Sequence, residues 1–264
     1  MNDIVKEGCS VLLEDKVVII TGAAQGIGAE FAKGYAKEGA KVLVADVLDG
    51  TPTVEAIVNA GGEAAYAATD VTDQKACGAM VNTALEHFGK VDVLINNAAM
   101  YGNIVKKPFF EVDIKEWNRV MAVNAAGPFL CTKAVFAAMQ ENGGKIINVA
   151  SSVVFEAPAG FPHYVASKGA MMTLTRCLAR ELGGYNINVN ALAPGYTESQ
   201  ASLSIEANKA IAGKSSAEIV LQKRCLKRAA LPQDIVGTAV FLGSHLSDFI
   251  TGQLILIDGG ASFH

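Results

Sequence analysis

Short runs of Val, Ile, Leu and Ala recur along the chain, separated by longer stretches in which apolar residues return every three or four positions. Runs of the first kind, at 16–20, 41–45, 64–68, 91–96, 145–149, 187–192 and 253–257, lack polar alternation, as strands do when helices cover both faces of their sheet. The stretches between them predict helices at about 26–38, 53–60, 73–88, 113–140, 164–182 and 232–243. Strand and helix alternating in this way form βαβ units, so the expected fold class is α/β, a doubly wound parallel sheet of about seven strands. No Pro/Ser-rich linker or charge block divides the units, and residues 1–264 are expected to form a single domain. The exception is the stretch near 198–226, where Ser, Ala, Lys and Glu mix without a strand signal. Such an insertion is expected to cover a substrate.

Composition narrows the class. Half of the residues are apolar (51%), yet runs such as 17–20, 42–45 and 91–95 end at a polar residue or glycine, too short to span a membrane. The start, Met1-Asn2-Asp3-Ile4-Val5-Lys6-Glu7, has no apolar signal-peptide core, and the expected compartment is the cytoplasm. The five cysteines (Cys9, Cys77, Cys131, Cys177, Cys225) stand singly, without a CxxC pair or a histidine cluster, so reduced thiols and no metal are expected. A formal charge of -4 gives no basic field for nucleic acid. The densest basic stretch, Lys223-Arg224-Cys225-Leu226-Lys227-Arg228, reads first as a solvated helix face or loop and second as an attractor for an acidic substrate group.

The first strand runs into Thr21-Gly22-Ala23-Ala24-Gln25-Gly26-Ile27-Gly28 and then into a helix. Glycines let the backbone turn sharply and approach a pyrophosphate, and the helix N-terminus offers free N–H groups to it. This GxxxGxG turn between strand and helix reads as the phosphate cradle of a Rossmann-type dinucleotide fold. Asp46 closes the second strand, where a carboxylate would accept hydrogen bonds from the two adenosine ribose hydroxyls and repel a 2′-phosphate. Neither Ala23, Ala24, Gln25 nor Val47 supplies a cation for such a phosphate. The expected cofactor is therefore NAD rather than NADP.

In Tyr164-Val165-Ala166-Ser167-Lys168 the four-residue helical spacing puts phenol and ammonium on one face. A free tyrosine titrates near about 10, and a neighbouring cation favours its phenolate, so Lys168 is expected to tune Tyr164 toward working pH. Alone, YxxxK describes many amphipathic surface pairs.

Taken together, the glycine loop, Asp70-Val71, Asn96-Asn97-Ala98, Asn124, Ser151, Tyr164 with Lys168, Pro194-Gly195, Thr251-Gly252-Gln253 and Asp258-Gly259-Gly260 resemble the short-chain dehydrogenase/reductase family, in its single-domain branch, from about Asp15 onward. The resemblance implies that Asp70 and Val71 contact the adenine, and that Asn96 and Asn97 support the loop and ribose beside the fourth strand. The family usually has glycine where Ala99 stands. The resemblance also implies that Asn124 holds a water in a proton relay and that Ser151, with Ser152 as the alternative, hydrogen-bonds the substrate oxygen. Pro194, Gly195 and Thr197 would hold the nicotinamide carboxamide; the family often has its threonine where Ser199 stands.

The implied activity is hydride exchange between the cofactor and a secondary alcohol or ketone, with Tyr164 as the proton donor or acceptor. Tyr101, Asn103, Ser152, Phe155, Phe161 and Tyr196 are the candidate pocket residues, and their apolar character points to an aryl or alicyclic substrate. His163 reads as a surface or pocket-rim neighbour. A sugar or polyol dehydrogenase, a 3-oxoacyl thioester reductase and a non-catalytic cofactor-binding regulator are the alternatives. A homo-oligomer, tetramer or dimer, is expected from the resemblance, with the tail 260–264 a candidate contact.

Overall fold

A computed structural model describes residues 11–207 and 216–263, without the side chains of 206, 207, 216 and 217. Cys9, His264, the N-terminal heptapeptide and the middle of the proposed covering insertion therefore lie outside the described residues. In chain order the elements are β1 (Val17–Thr21), α1 (Gly26–Lys37), β2 (Lys41–Asp46), α2 (Thr51–Asn59), β3 (Glu63–Ala68), α3 (Gln74–Phe88) and β4 (Val93–Asn96). There follow α4 (Ile114–Met121), α5 (Gly127–Met139), β5 (Gly144–Val149), α6 (Val153–Glu156), α7 (Pro162–Leu182) and β6 (Ile187–Pro194). The chain ends with α8 (Gln200–Ala207), α9 (Ser216–Lys223), α10 (Gln233–Gly243) and β7 (Leu254–Ile257).

The seven strands form one parallel sheet in the order β3-β2-β1-β4-β5-β6-β7. Its core explains why the strands carry no polar alternation. Val18, Ile20, Val42 and Val44 pack on one face with Phe31 and Tyr35 of α1 and Ile235 and Leu242 of α10. Ile19, Leu43 and Leu94 face the other way, toward Met80 of α3, Val135 of α5 and Leu178 of α7. Successive residues point to opposite faces, and both faces are covered, so every position of β1 is buried. Where β1 is flanked by β2 on one side and β4 on the other, the strand order reverses. Ligands of open α/β sheets bind in the crevice at the carboxyl ends of the strands beside such a point.

The helix expected over 113–140 is not uniform. It is α4 and α5 joined by a π-helical turn, Ala122–Ala126, in which Gly127 N donates to the Ala122 carbonyl. Pro128 lies in the first turn of α5 and has no N–H to donate to the carbonyl of Asn124, four residues earlier. By length and composition alone Ile114–Met139 could also cross a bilayer, contrary to the reading from apolar runs. Its Val120, Cys131, Val135 and Met139 are instead completely buried within the protein.

Candidate active site

A cavity of about 790 Å³ runs along the carboxyl ends of β1 to β6. Gly22, Gln25, Gly26, Ile27 and Gly28 border one part of it, together with Asp46, Asp70, Val71 and Asn97. Ser151, Tyr164, Lys168 and the Pro194–Thr197 segment border the rest, with Tyr101, Asn103, Ser152, Phe161 and Tyr196. Asn124 stands behind the wall, buried. Helices α8 and α9, from the stretch without strand signal, also line the cavity through Ile205, Ile219, Val220 and Lys223.

The glycine loop has the shape a pyrophosphate requires. A Cβ on Gly28 would lie 2.2 Å from the Gly22 carbonyl oxygen, and one on Gly22 would lie 2.7 Å from Ala98 Cα, so these two positions admit no side chain. At Gly26, where φ is +60°, nothing lies within 4 Å, and the backbone there opens on free space at the start of α1. Gln25 makes no side-chain capping bond to that helix end, which leaves its N–H groups directed at the cavity. Asn97 braces the loop, donating from Nδ2 to the carbonyls of Thr21 (3.0 Å) and Gly22 (2.9 Å). These residues fit a dinucleotide.

Asp46 Oδ2 accepts from Ala24 N at 2.9 Å and Oδ1 from Leu48 N at 3.0 Å. Those two bonds fix a carboxylate that still has acceptor capacity on its cavity side. Asp70 is held below the usual carboxylate range, chiefly because it accepts from the backbone and the hydroxyl of Thr72.

Tyr164 and Lys168 lie one turn apart on α7, both buried. Lys168 Nζ donates to the Val149 carbonyl at the end of β5 (2.7 Å) and stands 5.8 Å from the Tyr164 ring centroid. Burial holds the Lys168 ammonium down to about 8. Burial also pushes the Tyr164 phenol up, Tyr101 adds to that push, and a hydrogen bond with Ser151 pulls it back. The downward influence on Tyr164 thus comes from Ser151 rather than from Lys168 as expected, because the lysine is itself desolvated and donates to the strand end. Tyr101 and Phe161 flank the phenol, with ring centroids 4.9 and 5.6 Å from its own.

Between the adjacent serines the geometry chooses. Ser152 Oγ is engaged by Glu156 Oε1 at 2.6 Å, whereas Ser151 reaches Tyr164 and donates a long 3.4 Å bond to the Pro194 carbonyl. Thr197, buried, donates to the Gly195 carbonyl (3.0 Å) and stiffens the same turn. The Asn124 amide is engaged at both ends, with both of its hydrogens used. Its Oδ1 accepts from Met100 N (2.7 Å) while Nδ2 donates to Met100 O and Ser167 Oγ (both 3.1 Å).

Four expectations need correction. Phe155 does not line the cavity, because Val153 and Glu156 occupy the cavity-facing side of the single turn α6. Asn96 does not face the ribose region; its side chain points into the interior and donates to Asn148 Oδ1 at 2.9 Å, while Asn148 bonds Thr175. His163 is no rim residue, being fully buried with Nε2 3.2 Å from Glu116 Oε1. Arg224 is not part of a solvated basic face. It is 2% exposed and donates to the carbonyls of Tyr196 and Arg228, clamping the turn after β6. Nothing in the local pattern separates Arg224 from its exposed neighbours, since its burial depends on glycines 195 and 259 brought beside it by β6 and β7. Lys106 and Arg119, which also border the cavity, carry no motif either.

Comparison with known proteins agrees with this geometry. Residues 22–262 match a family model described as enoyl-(acyl carrier protein) reductase. The 2-dehydro-3-deoxy-D-gluconate 5-dehydrogenase of Dickeya dadantii is 36% identical over 250 residues, covering 94% of this chain and 96% of its own. A 7α-hydroxysteroid dehydrogenase complexed with NADH and 7-oxo glycochenodeoxycholic acid superposes with a TM-score of 0.87 at 33% identity, over 95% of this chain and 96% of that one. A putative NAD(P)-dependent gluconate 5-dehydrogenase of Beutenbergia cavernae, with bound NADP, gives 0.86 at 34%, over 96% and 98%. The chain belongs to the short-chain dehydrogenase/reductase family of nicotinamide-dependent oxidoreductases, acting on secondary alcohols and their ketones.

Proposed function

We propose that this enzyme interconverts a polyhydroxylated secondary alcohol with its ketone, using NAD, and that Tyr164 gives or takes the hydroxyl proton. The observation that carries the reading is the meeting of Ser151 and Tyr164 at one point of a cavity that continues to the glycine loop. Two hydroxyl groups there can hold one substrate oxygen and stabilise charge that develops on it. Bound along Gly26 and Asp46, the cofactor supplies hydride exchange with the carbinol carbon.

The chain's own groups manage the proton. Burial keeps Tyr164 protonated, which suits it to donate to a carbonyl oxygen during reduction. In oxidation the phenol must lose that proton, and Lys168, held near 8 and 5.8 Å from the ring, is the cation on hand to stabilise the phenolate. Both ends of the Asn124 amide are engaged, and its main-chain carbonyl, which Pro128 deprives of an α-helical donor, is an acceptor that would hold the relay water assigned to this residue. Helices α8 and α9 cover the substrate.

The D. dadantii and B. cavernae relatives, named for gluconate derivatives, favour a sugar-like substrate over an aryl one. Tyr101, Phe161 and Tyr196 suit it equally, since aromatic faces pack against the C–H faces of sugars. The choice of NAD rests on Asp46, whose carboxylate would meet a 2′-phosphate with like charge. Arg119 lines the cavity too, but its charge is offset by Asp70 beside it. Exposed Phe109, Phe110, Ile114, Phe249 and Phe263 support assembly with further copies of the chain.

Tyr164→Phe is expected to lower kcat by at least about a thousandfold, in line with general acid–base contributions, while binding NAD as the wild type does. Near-normal turnover refutes the assignment. Lys168 loses its proton more readily when folded, so the folded protein binds fewer protons than the unfolded chain between pH about 8 and 10.5, and this group's contribution to stability rises across that window. Lys168→Met should therefore lack part of the wild type's rise in denaturation midpoint between these pH values; identical profiles contradict the buried lysine. Asp46→Asn should raise the NADP-to-NAD ratio of kcat/KM by about tenfold, and an unchanged ratio overturns the cofactor assignment. Light scattering should give a dimer or tetramer, and a monomer at micromolar concentration counts against assembly.

A further inference from the structure

One buried cation takes no part in the proton chemistry. Arg224 follows directly on α9, the second of the covering helices, and its N–H still donates to the Val220 carbonyl one turn back (3.1 Å). Val220 and Lys223 line the cavity, whereas Arg224 is 2% exposed and stands behind its wall. Its guanidinium donates from Nη2 to the Tyr196 carbonyl and from Nη1 to the Arg228 carbonyl (3.2 Å), and Nε has no hydrogen-bond partner among the described residues. A buried cation is costly unless it is paired. Asp258 and Glu156 are near enough to offset the charge electrostatically, yet the direct bonds go to main-chain carbonyls.

What the guanidinium holds is defined by its contacts. Tyr196 lies between Gly195 and Thr197 in the turn that borders the cavity, and a Cβ on Gly195 would lie 2.6 Å from Asp258 Cβ and 3.4 Å from Arg224 Nη2. The turn is thus packed directly on the guanidinium and on the segment after β7. That segment is tied to the end of α9 by backbone alone, Cys225 N donating to the Gly260 carbonyl (3.3 Å) and Leu226 N to that of Gly259 (3.0 Å). Glu198 N donates to the Ala230 carbonyl (2.8 Å), which holds the far end of the turn independently of Arg224. These bonds stay when the side chain at 224 is changed. Beyond them, the Arg224 side chain supplies the link from the end of α9 to Tyr196.

We infer that Arg224 is a positioning residue for the nicotinamide half of the cofactor, fixing through the Tyr196 carbonyl the turn that receives this half and coupling that turn to the covering helix α9. The inference rests on the reading of Pro194–Thr197 as the nicotinamide site and of α8 and α9 as the cover. A hydrogen bond from a charged donor is stronger than a neutral one, and the planar guanidinium spans two carbonyls at once, which sets the turn in angle as well as in distance. Hydride exchange is sensitive to such placement, since a shift of about 1 Å can cost about a hundredfold in rate. The adenosine and pyrophosphate half is bordered by the glycine loop and Asp46, which Arg224 does not touch. Because coupling is reciprocal, a ligand that settles against the turn also steadies α9.

ADP-ribose is the cofactor without its nicotinamide ring. Calorimetric titration of NADH and of ADP-ribose into the protein, with hydrogen exchange of the α9 amides in each complex, separates the two halves without turnover. Wild type should bind NADH more tightly than ADP-ribose, and α9 exchange should slow more with NADH. Arg224→Met leaves a stem against Gly259 and should weaken NADH binding at least about tenfold, or about 1.4 kcal/mol, with ADP-ribose binding unchanged and the difference in α9 exchange lost. Arg224→Lys keeps the charge but cannot fork two carbonyls, and should lie between wild type and Arg224→Met in both readings. If Arg224→Met binds neither ligand, Arg224→Lys decides alone, and a loss confined to NADH supports the role. A parallel loss of both ligands in the lysine variant, an unchanged ratio of the two affinities, or α9 exchange that responds alike to both ligands in wild type each overturns it. Binding of neither ligand by wild type overturns it together with the nicotinamide reading. If the preference for NADH depends on Arg224 but no alcohol is oxidised with any nicotinamide, the positioning role stands and the oxidoreductase reading of Tyr164 falls. If an alcohol is oxidised by a protein that binds NADH no more tightly than ADP-ribose, the reverse holds.

Discussion

A buried ammonium must find a fixed acceptor, and in this protein Lys168 finds the carbonyl of Val149 at the end of β5. That bond registers α7 against the sheet. Tyr164 is one turn back on the same helix, and Ser151 is two residues past Val149, so the single contact brings phenol, ammonium and serine to one place. The cost of desolvating Lys168 appears as its readiness to give up a proton near neutral pH, which is what a proton-handling pair requires. Stability and chemistry are thus coupled at one residue.

Around it, the polar groups of the interior brace the carboxyl ends of the strands. Asn96, Asn148 and Thr175 tie β4, β5 and α7 together, while Asn97 and Thr21 lock the glycine loop to the end of β4. Arg224 and Asp258 do the same for the far side. Arg224 clamps the turn after β6, and Asp258 accepts from the backbone N–H groups of residues 260, 261 and 262, so the C-terminal segment and the turn form one unit. Tyr164 and Lys168 stand on α7 and Ser151 just past the end of β5, and the groups that orient them stand one layer behind.

The sheet was legible in the sequence because burial of both strand faces leaves unbroken apolar runs, and all seven strands lie where those runs are. The glycine loop and the Tyr164–Lys168 pair were legible because their chemistry demands particular residues at fixed spacing. Long-range packing was not. Arg224 is buried by glycines distant in sequence, His163 by Glu116 on another helix, and Asn96 is turned inward by strand register, which apolar pattern does not specify at a strand end. The π turn at Asn124 escaped because helical periodicity is blind to one extra residue, although Gly127-Pro128 marks the place. Helices α8 and α9 have weak amphipathic patterns, which left only the absence of a strand to go on.

The most direct test follows absorbance of the reduced nicotinamide while the enzyme is offered NAD or NADP with a panel of sugar acids, polyols, alicyclic and aryl alcohols. Reduction of NAD in preference to NADP, fastest with a polyhydroxylated secondary alcohol, is the expected result. No reduction of either cofactor with any alcohol, and no oxidation with the matching ketones, would contradict the assignment of Ser151, Tyr164 and Lys168 as a working site.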